Sequence, residues 1–270
     1  MRQIKFIVTA GNTIEIEKIR TERNYQRGAE RNAKKNPTSE RQKLVNDRQA
    51  EKILRRKMNA NFDNSCLYLT LMYVKEDGLP HVDPEQMDQD MQRVLRKLRS
   101  VYKRESKKLG RKIELKYIWV KAVGSRSARH FHMVLSGLPH LPFKDIQDKL
   151  QAIWDSVYLE RHSKRSFINL QYLRGDHYGK LAAYFIKQSK TTMETLGRKI
   201  GKKWNSSRNL KSPTVRKVVI YGRKAFDAAP KPRDGWYLDQ DYTVQLDPED
   251  SEYGFAYRAW LMVRPGKVRS

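Results

Sequence analysis

The sequence predicts an α+β protein built on an antiparallel sheet that carries two helices on one face. Three observations lead there. Short runs are rich in β-branched and aromatic residues, two longer stretches place apolar residues at helical spacing, and the order from residue 66 to 172 is β-α-β-β-α-β. That order describes a ferredoxin-like split unit, whose first and third strands are central.

Along the chain, residues 1–20 alternate weakly (Ile4, Phe6, Val8, then Ile14, Ile16) around Gly11-Asn12, the pattern of a hairpin. From Thr21 to Ala60 charged and amide side chains dominate, and Ser39-Glu40-Arg41-Gln42 resembles a capping box. This stretch is expected to be an exposed basic helical arm, either simply solvated or lying along a phosphate backbone. Cys66 to Tyr73 reads as a buried strand. After a turn at Gly78-Leu79-Pro80, Asp83 is expected to cap a helix with Pro84 at its first position and Gln86 at its third. Met87, Met91, Val94, Leu95, Leu98, Val101 and Tyr102 then form one apolar stripe opposite a basic face.

Leu115 to Ala122 and Arg129 to Leu135 are two strands of a hairpin turning through Gly124-Ser125-Arg126-Ser127. A second amphipathic helix follows, with Phe143, Ile146, Leu150, Ile153, Trp154 and Val157 on one side, and then a strand from Phe167 to Tyr172. A helix from Tyr178 to Lys190 comes next. A strand at Val215–Tyr221 and an acidic, aromatic-rich tail beyond Pro230 read as a small β-rich C-terminal appendix. The expected organisation is 1–61, hairpin and arm; 62–200, core; and 201–270, an extension packing on that core.

A formal charge of +26, with 56 Lys and Arg against 30 Asp and Glu, predicts attraction to polyanions through counterion release. Nucleic acid is the expected partner. Apolar content of 39% suffices for a core, yet no apolar run has the length of a membrane span or secretory signal. Cys66 stands alone, so no intrachain disulfide forms, and a reducing cytoplasmic setting is expected.

The chemistry is carried by His130-Phe131-His132. Alternate residues of a strand share a face, so both imidazoles point one way while Phe131, Met133 and Leu135 point toward the helices. Two neutral imidazoles side by side begin a divalent-metal site. Tyr184, with Lys187 three residues on, puts an oxygen nucleophile and a cation on one helical face. A bland reading stands beside each: two polar residues on a solvated sheet, a core aromatic, a surface lysine at a helix end. Tyr178 is a rival nucleophile without a lysine at that spacing. Arg126 and Arg129 flank the turn beside the His strand and are candidates to hold a DNA backbone.

These motifs together resemble the His-hydrophobe-His endonucleases that start rolling-circle replication, most closely the replication-associated proteins of bacterial plasmids and filamentous-phage-like elements. The matching segments are Tyr68 to Tyr73, Tyr117-Ile118-Trp119-Val120, His130-Phe131-His132 and Ala183 to Lys187, with Ser207-Arg208-Asn209-Leu210 and Gly235-Trp236-Tyr237-Leu238 toward the C-terminus. The resemblance implies metal-dependent nicking and joining of single-stranded or hairpin origin DNA. Tyr184 would attack to leave a 5′-phosphotyrosine, Lys187 would assist, and His130 and His132 would hold Mg²⁺ or Mn²⁺. A host helicase and polymerase are the implied further partners. The family often has a glutamate as third ligand where this chain has Ala122; His177 and Asp176 are the weak candidates to replace it. Two alternatives stay open: a non-catalytic single-stranded nucleic-acid binder with a ferredoxin-like sheet, and a transposase or relaxase using the same chemistry.

Overall fold

A computed structural model describes residues 2–21, 39–74, 82–124, 129–197, 201–251 and 254–266. The chain forms two units, one made of Met1–Ala60, Asp176–Gly179 and Lys211–Ser270, the other of Asn61–Gly175 and Lys180–Leu210. Its class is α+β, with two antiparallel five-stranded sheets. The elements in chain order are β1 (Arg2–Ala10), β2 (Thr13–Thr21), α1 (Glu40–Asn61), β3 (Leu67–Tyr73), α2 (Pro84–Lys108), β4 (Tyr117–Val123), β5 (Arg129–Leu135), α3 (Phe143–Tyr158), β6 (Asn169–Tyr172), α4 (Gly179–Leu196), β7 (Asn205–Ser206), β8 (Thr214–Ile220), α5 (Arg223–Asp227), β9 (Tyr237–Leu246) and β10 (Ala256–Val263).

The second unit contains the expected β-α-β-β-α-β order, with strands arranged β6-β3-β5-β4-β7. β3 and β5 are central because the two helical crossovers each step over a strand. Leu67, Leu69 and Leu71 of β3 and Phe131, Met133 and Leu135 of β5 are all buried on one face. They pack against Met91, Val94 and Leu98 of α2 and Leu150, Trp154 and Val157 of α3. Asp83 precedes α2 in extended conformation with Pro84 at the first turn, but its side chain makes no capping bond. Gln86 turns instead to Asp90, donating at 3.0 Å. The expected turn residues 78–80 and 125–127, Arg126 among them, lie outside the described residues.

The first unit differs from the expected arm and appendix. Its sheet runs β8-β1-β2-β10-β9, so strands from both ends of the chain share one sheet, and the boundaries expected at 61 and 200 follow the chain where the contacts do not. The hairpin at Gly11-Asn12 is present: Ala10 pairs with Thr13, and Gly11 adopts φ 58°. A Cβ at Gly11 would also meet the Asn59 carbonyl oxygen at 2.0 Å, so glycine is required twice over.

Helix α1 is not an exposed arm in its C-terminal half. Ser39 caps it, accepting the Gln42 N–H at 3.2 Å, and Leu54, Arg55, Met58 and Asn59 are buried. Its few apolar residues hide the amphipathicity, because the buried face is completed by charge pairing. Arg55 and Arg56 each reach Glu15 at 2.7 Å, and Lys52 and Arg56 reach Glu17 at 2.6 and 2.7 Å. Burial pushes the Glu17 carboxyl up, but Lys52 and Arg56 outweigh it and hold the group down at about 2. Glu15→Ala is expected to lower the unfolding free energy by about 3 kcal/mol, since it strands two enclosed guanidinium groups. Urea unfolding checks this; a loss below about 1 kcal/mol would show those pairs to be effectively solvated.

Candidate active site

The site lies on the sheet face opposite α2 and α3, within the second unit. Antiparallel register sets Thr70 of β3 and Val120 of β4 beside His132, and Met72 and Ala122 beside His130. Helix α4 lies on this face with Ala182, Phe185, Ile186, Ser189 and Thr192 buried, the i, i+3, i+4 spacing of one stripe. Thr192 Oγ1 accepts the Val123 N–H at 2.9 Å and so ties the helix to the end of β4.

His132 is the hub. It is 5% exposed, and both its ring nitrogens are engaged. Nε2 is 2.8 Å from Tyr184 Oη, Nδ1 is 2.7 Å from Tyr68 Oη, and Thr70 Oγ1 lies 3.3 Å from the same Nδ1. His130 sits alongside, its ring edge-on to His132 with centroids 4.6 Å apart. Phe185 of α4 covers the far side, stacking on His132 at 6.3 Å. Thus His130, His132 and Tyr184 converge as their types and spacing predict. Lys187 is exposed one turn beyond Tyr184 on α4.

Burial and the adjacent His130 push the His132 imidazole down to about 3, so it is neutral at neutral pH. Burial raises the Tyr184 phenol, a hydrogen bond with Tyr68 opposing it, and burial together with Tyr184 raises Tyr68. Both phenols therefore keep their protons at neutral pH.

Between pH 6.5 and about 3 an unfolded imidazole takes a proton that folded His132 refuses. Stability from this group is therefore intact above the unfolded value and falls as pH drops through that window, by up to about 1.4 kcal/mol per pH unit. Metal-free protein is expected to lose about 2 kcal/mol more than its His132→Gln variant between pH 7 and pH 5. Urea unfolding at both pH values measures it, and equal losses would contradict the buried neutral imidazole.

The donor set suits a divalent ion that accepts nitrogen ligands: two neutral imidazoles on one face, with the His132 Nε2 edge turned toward a phenol oxygen. Among the described residues no group of three or more His, Cys, Asp and Glu gathers there. Ala122, fully buried, faces His130 in register and offers no ligand. The weak candidates are committed elsewhere in the first unit: His177 Nε2 pairs with Asp239 at 2.8 Å, and Asp176 accepts the Gly266 N–H at 2.7 Å. Tyr178 is 5% exposed, with its N–H donated to Asn59 in that unit, so it is not a nucleophile for this site. Arg129 lies on the helix side of β5, in register with Tyr73. Tyr68 and Thr70 are the residues that pattern reasoning missed. Their alternation on β3 marks a shared face, but only the β3–β5 register brings that face to His132.

Residues 66–193 match a family of replication-associated proteins, the ORF2 type. No protein among curated sequences matches the chain. Among solved structures, the chain is similar to the N-terminal nuclease domain of non-structural protein 1 from minute virus of mice, 9% identical over 67% of this chain and 79% of that one, with TM-score 0.28. That domain is described with Zn²⁺ coordinated in its active-site pocket and with DNA recognition at an origin of replication. The N-terminal origin-recognition/nickase domain of human bocavirus non-structural protein 1 is 12% identical over 57% of this chain and 72% of that one, with TM-score 0.20. Likenesses at these scores carry nothing over to this chain.

Proposed function

Because residues 66–193 of this chain belong to the ORF2-type replication-associated protein family, we propose that the protein starts rolling-circle replication as a metal-dependent DNA nicking and joining endonuclease. The observation that supports this best is the convergence of Tyr184 Oη on His132 Nε2 at 2.8 Å, from segments 52 residues apart. A core tyrosine needs no such partner on a paired-histidine face.

In this reading Tyr184 Oη attacks the scissile phosphorus in line. A Tyr–O–P bond forms, the bond from phosphorus to the 3′ oxygen breaks, and the departing 3′ oxygen takes up a proton. The products are a 5′-phosphotyrosine link and a free 3′-hydroxyl from which a host polymerase can extend. Joining is the reverse: another 3′-hydroxyl attacks the retained phosphotyrosine. His132 holds the phenol in place before attack. Lys187 offsets the charge that develops at the phosphate or on the phenol oxygen. His130 and His132 would hold a divalent cation, Mn²⁺ suiting imidazole better than Mg²⁺, which withdraws charge from a non-bridging phosphate oxygen when bound. The net charge of +26 supplies the attraction to single-stranded or hairpin origin DNA.

The experiment is incubation of labelled single-stranded origin DNA with protein and Mn²⁺, then a denaturing gel. A band retarded by covalently attached protein, absent with chelator, is expected. DNA bound in a native gel but never covalently attached, with any divalent ion, would favour the non-catalytic binder instead.

A further inference from the structure

Leu67, Leu69 and Leu71 of β3 face the helices, whereas Tyr68 between them points the other way and brings its hydroxyl into the site. That oxygen is 2.7 Å from His132 Nδ1, the nitrogen turned away from Tyr184. The Tyr68 ring also stacks beside His132, with centroids 5.8 Å apart and planes 18° from parallel. Thr70, two residues on and on the same face, adds a second oxygen 3.3 Å from Nδ1. The register explains the placement: Thr70 is directly opposite His132 and Tyr68 is diagonal to it, within reach of a long aromatic side chain.

A neutral imidazole carries one proton on one of its two nitrogens, and the group hydrogen-bonded to the other end decides which. Two oxygens gathered at Nδ1 favour a proton there, because each can accept from an N–H. That choice leaves the Nε2 lone pair free to accept the Tyr184 hydroxyl or to bind a cation. If Nδ1 instead held the lone pair, Nε2 would carry hydrogen, and the nitrogen facing Tyr184 would be closed to a metal. Two rotatable hydroxyls thus select between a competent and an incompetent His132.

We infer that Tyr68, supported by Thr70, is a positioning residue that sets the tautomer and orientation of His132 by accepting its Nδ1–H, keeping Nε2 open toward Tyr184. The inference rests on the proposed active site for its use, but its physical content is a property of the metal-free protein. Supporting partners of this kind are worth roughly 10–100-fold in the metal affinity of the histidine they orient.

The test uses full-length protein labelled with ¹⁵N-histidine, and its tautomers are read by long-range ¹H–¹⁵N correlation without metal. Wild type is expected to show His132 protonated at Nδ1 only, and Tyr68→Phe to show a mixture of both forms or the Nε2–H form. Mn²⁺ affinity by calorimetry is expected to fall about 10-fold or more in Tyr68→Phe and less in Thr70→Val, whose bond is longer. Tyr68→Phe keeps the ring and its stacking. If it nevertheless melts well below wild type, Thr70→Val alone carries the test, and a partial shift toward Nε2–H is expected there. A wild-type His132 protonated at Nε2, or an Nδ1–H form unchanged by removing these hydroxyls, would overturn the inference. Failure of the active-site reading looks different: normal tautomers that respond to Tyr68→Phe, with no covalent DNA adduct from wild type.

Discussion

Tyr184→Phe is expected to abolish covalent attachment to DNA, with a loss of at least about 10³-fold, while leaving the protein folded. The variant removes one oxygen and little else. Tyr184 is 36% exposed, its ring contacts with His132 and Phe185 survive, and the lost hydrogen bond to His132 is worth about 1 kcal/mol in stability. Binding of single-stranded DNA in a native gel should change less than about 3-fold, because the basic surface is untouched. The denaturing gel and the native gel together therefore separate chemistry from binding. Covalent adduct persisting at wild-type levels in Tyr184→Phe would remove this residue from the mechanism.

His132→Ala is the second large effect, and it should reach further than its neighbour. It removes the imidazole that meets Tyr184, the ring that Phe185 and Tyr68 pack against, and one of the two candidate metal donors. Mn²⁺ affinity should fall by more than the roughly 100-fold that loss of a supporting partner costs, and adduct formation should fall by about 10³-fold. Stability should also drop by about 2 kcal/mol, because the enclosed Tyr68 hydroxyl loses its partner and a cavity opens. His130→Ala should match the loss of metal affinity with a smaller loss of stability, since His130 is only half-buried. Calorimetric titration with Mn²⁺ and urea unfolding check the two arms. Unchanged Mn²⁺ binding in both variants would mean that the imidazole pair is not a metal site.

Much of the site-bearing unit was legible because its signals are local. The leucines at 67, 69 and 71 and the stripe from Met87 to Tyr102 declare their faces within one element, and the β-α-β-β-α-β order fixes which strands are central. That is why the His132 and Tyr184 side chains are expected on one face from the sequence alone. The other unit was not legible, since its sheet depends on pairing β1 with β8 and β2 with β10 across some 200 residues. Alternation shows that residues form strands but not which strands they meet. Helix α1 misled for a related reason: Arg55 and Arg56 look solvent-facing until Glu15 and Glu17 of β2 are seen beneath them. Tyr68 went unnoticed because register, a nonlocal property, decides whether a strand tyrosine meets a histidine on its neighbour. His177, grouped in the sequence with the tyrosine helix, proves to be held by Asp239.

The claim on which the rest depends is that the Tyr184 oxygen becomes bonded to DNA phosphorus. Protease and nuclease digestion of the adduct, followed by mass spectrometry, tests it at the atom concerned. The predicted result is a nucleotide attached through a 5′-phosphate to Tyr184 in the peptide from Leu181 to Lys187. A nucleotide found on Tyr68, Tyr178 or any other side chain, or an adduct joined through a 3′-phosphate, would contradict it.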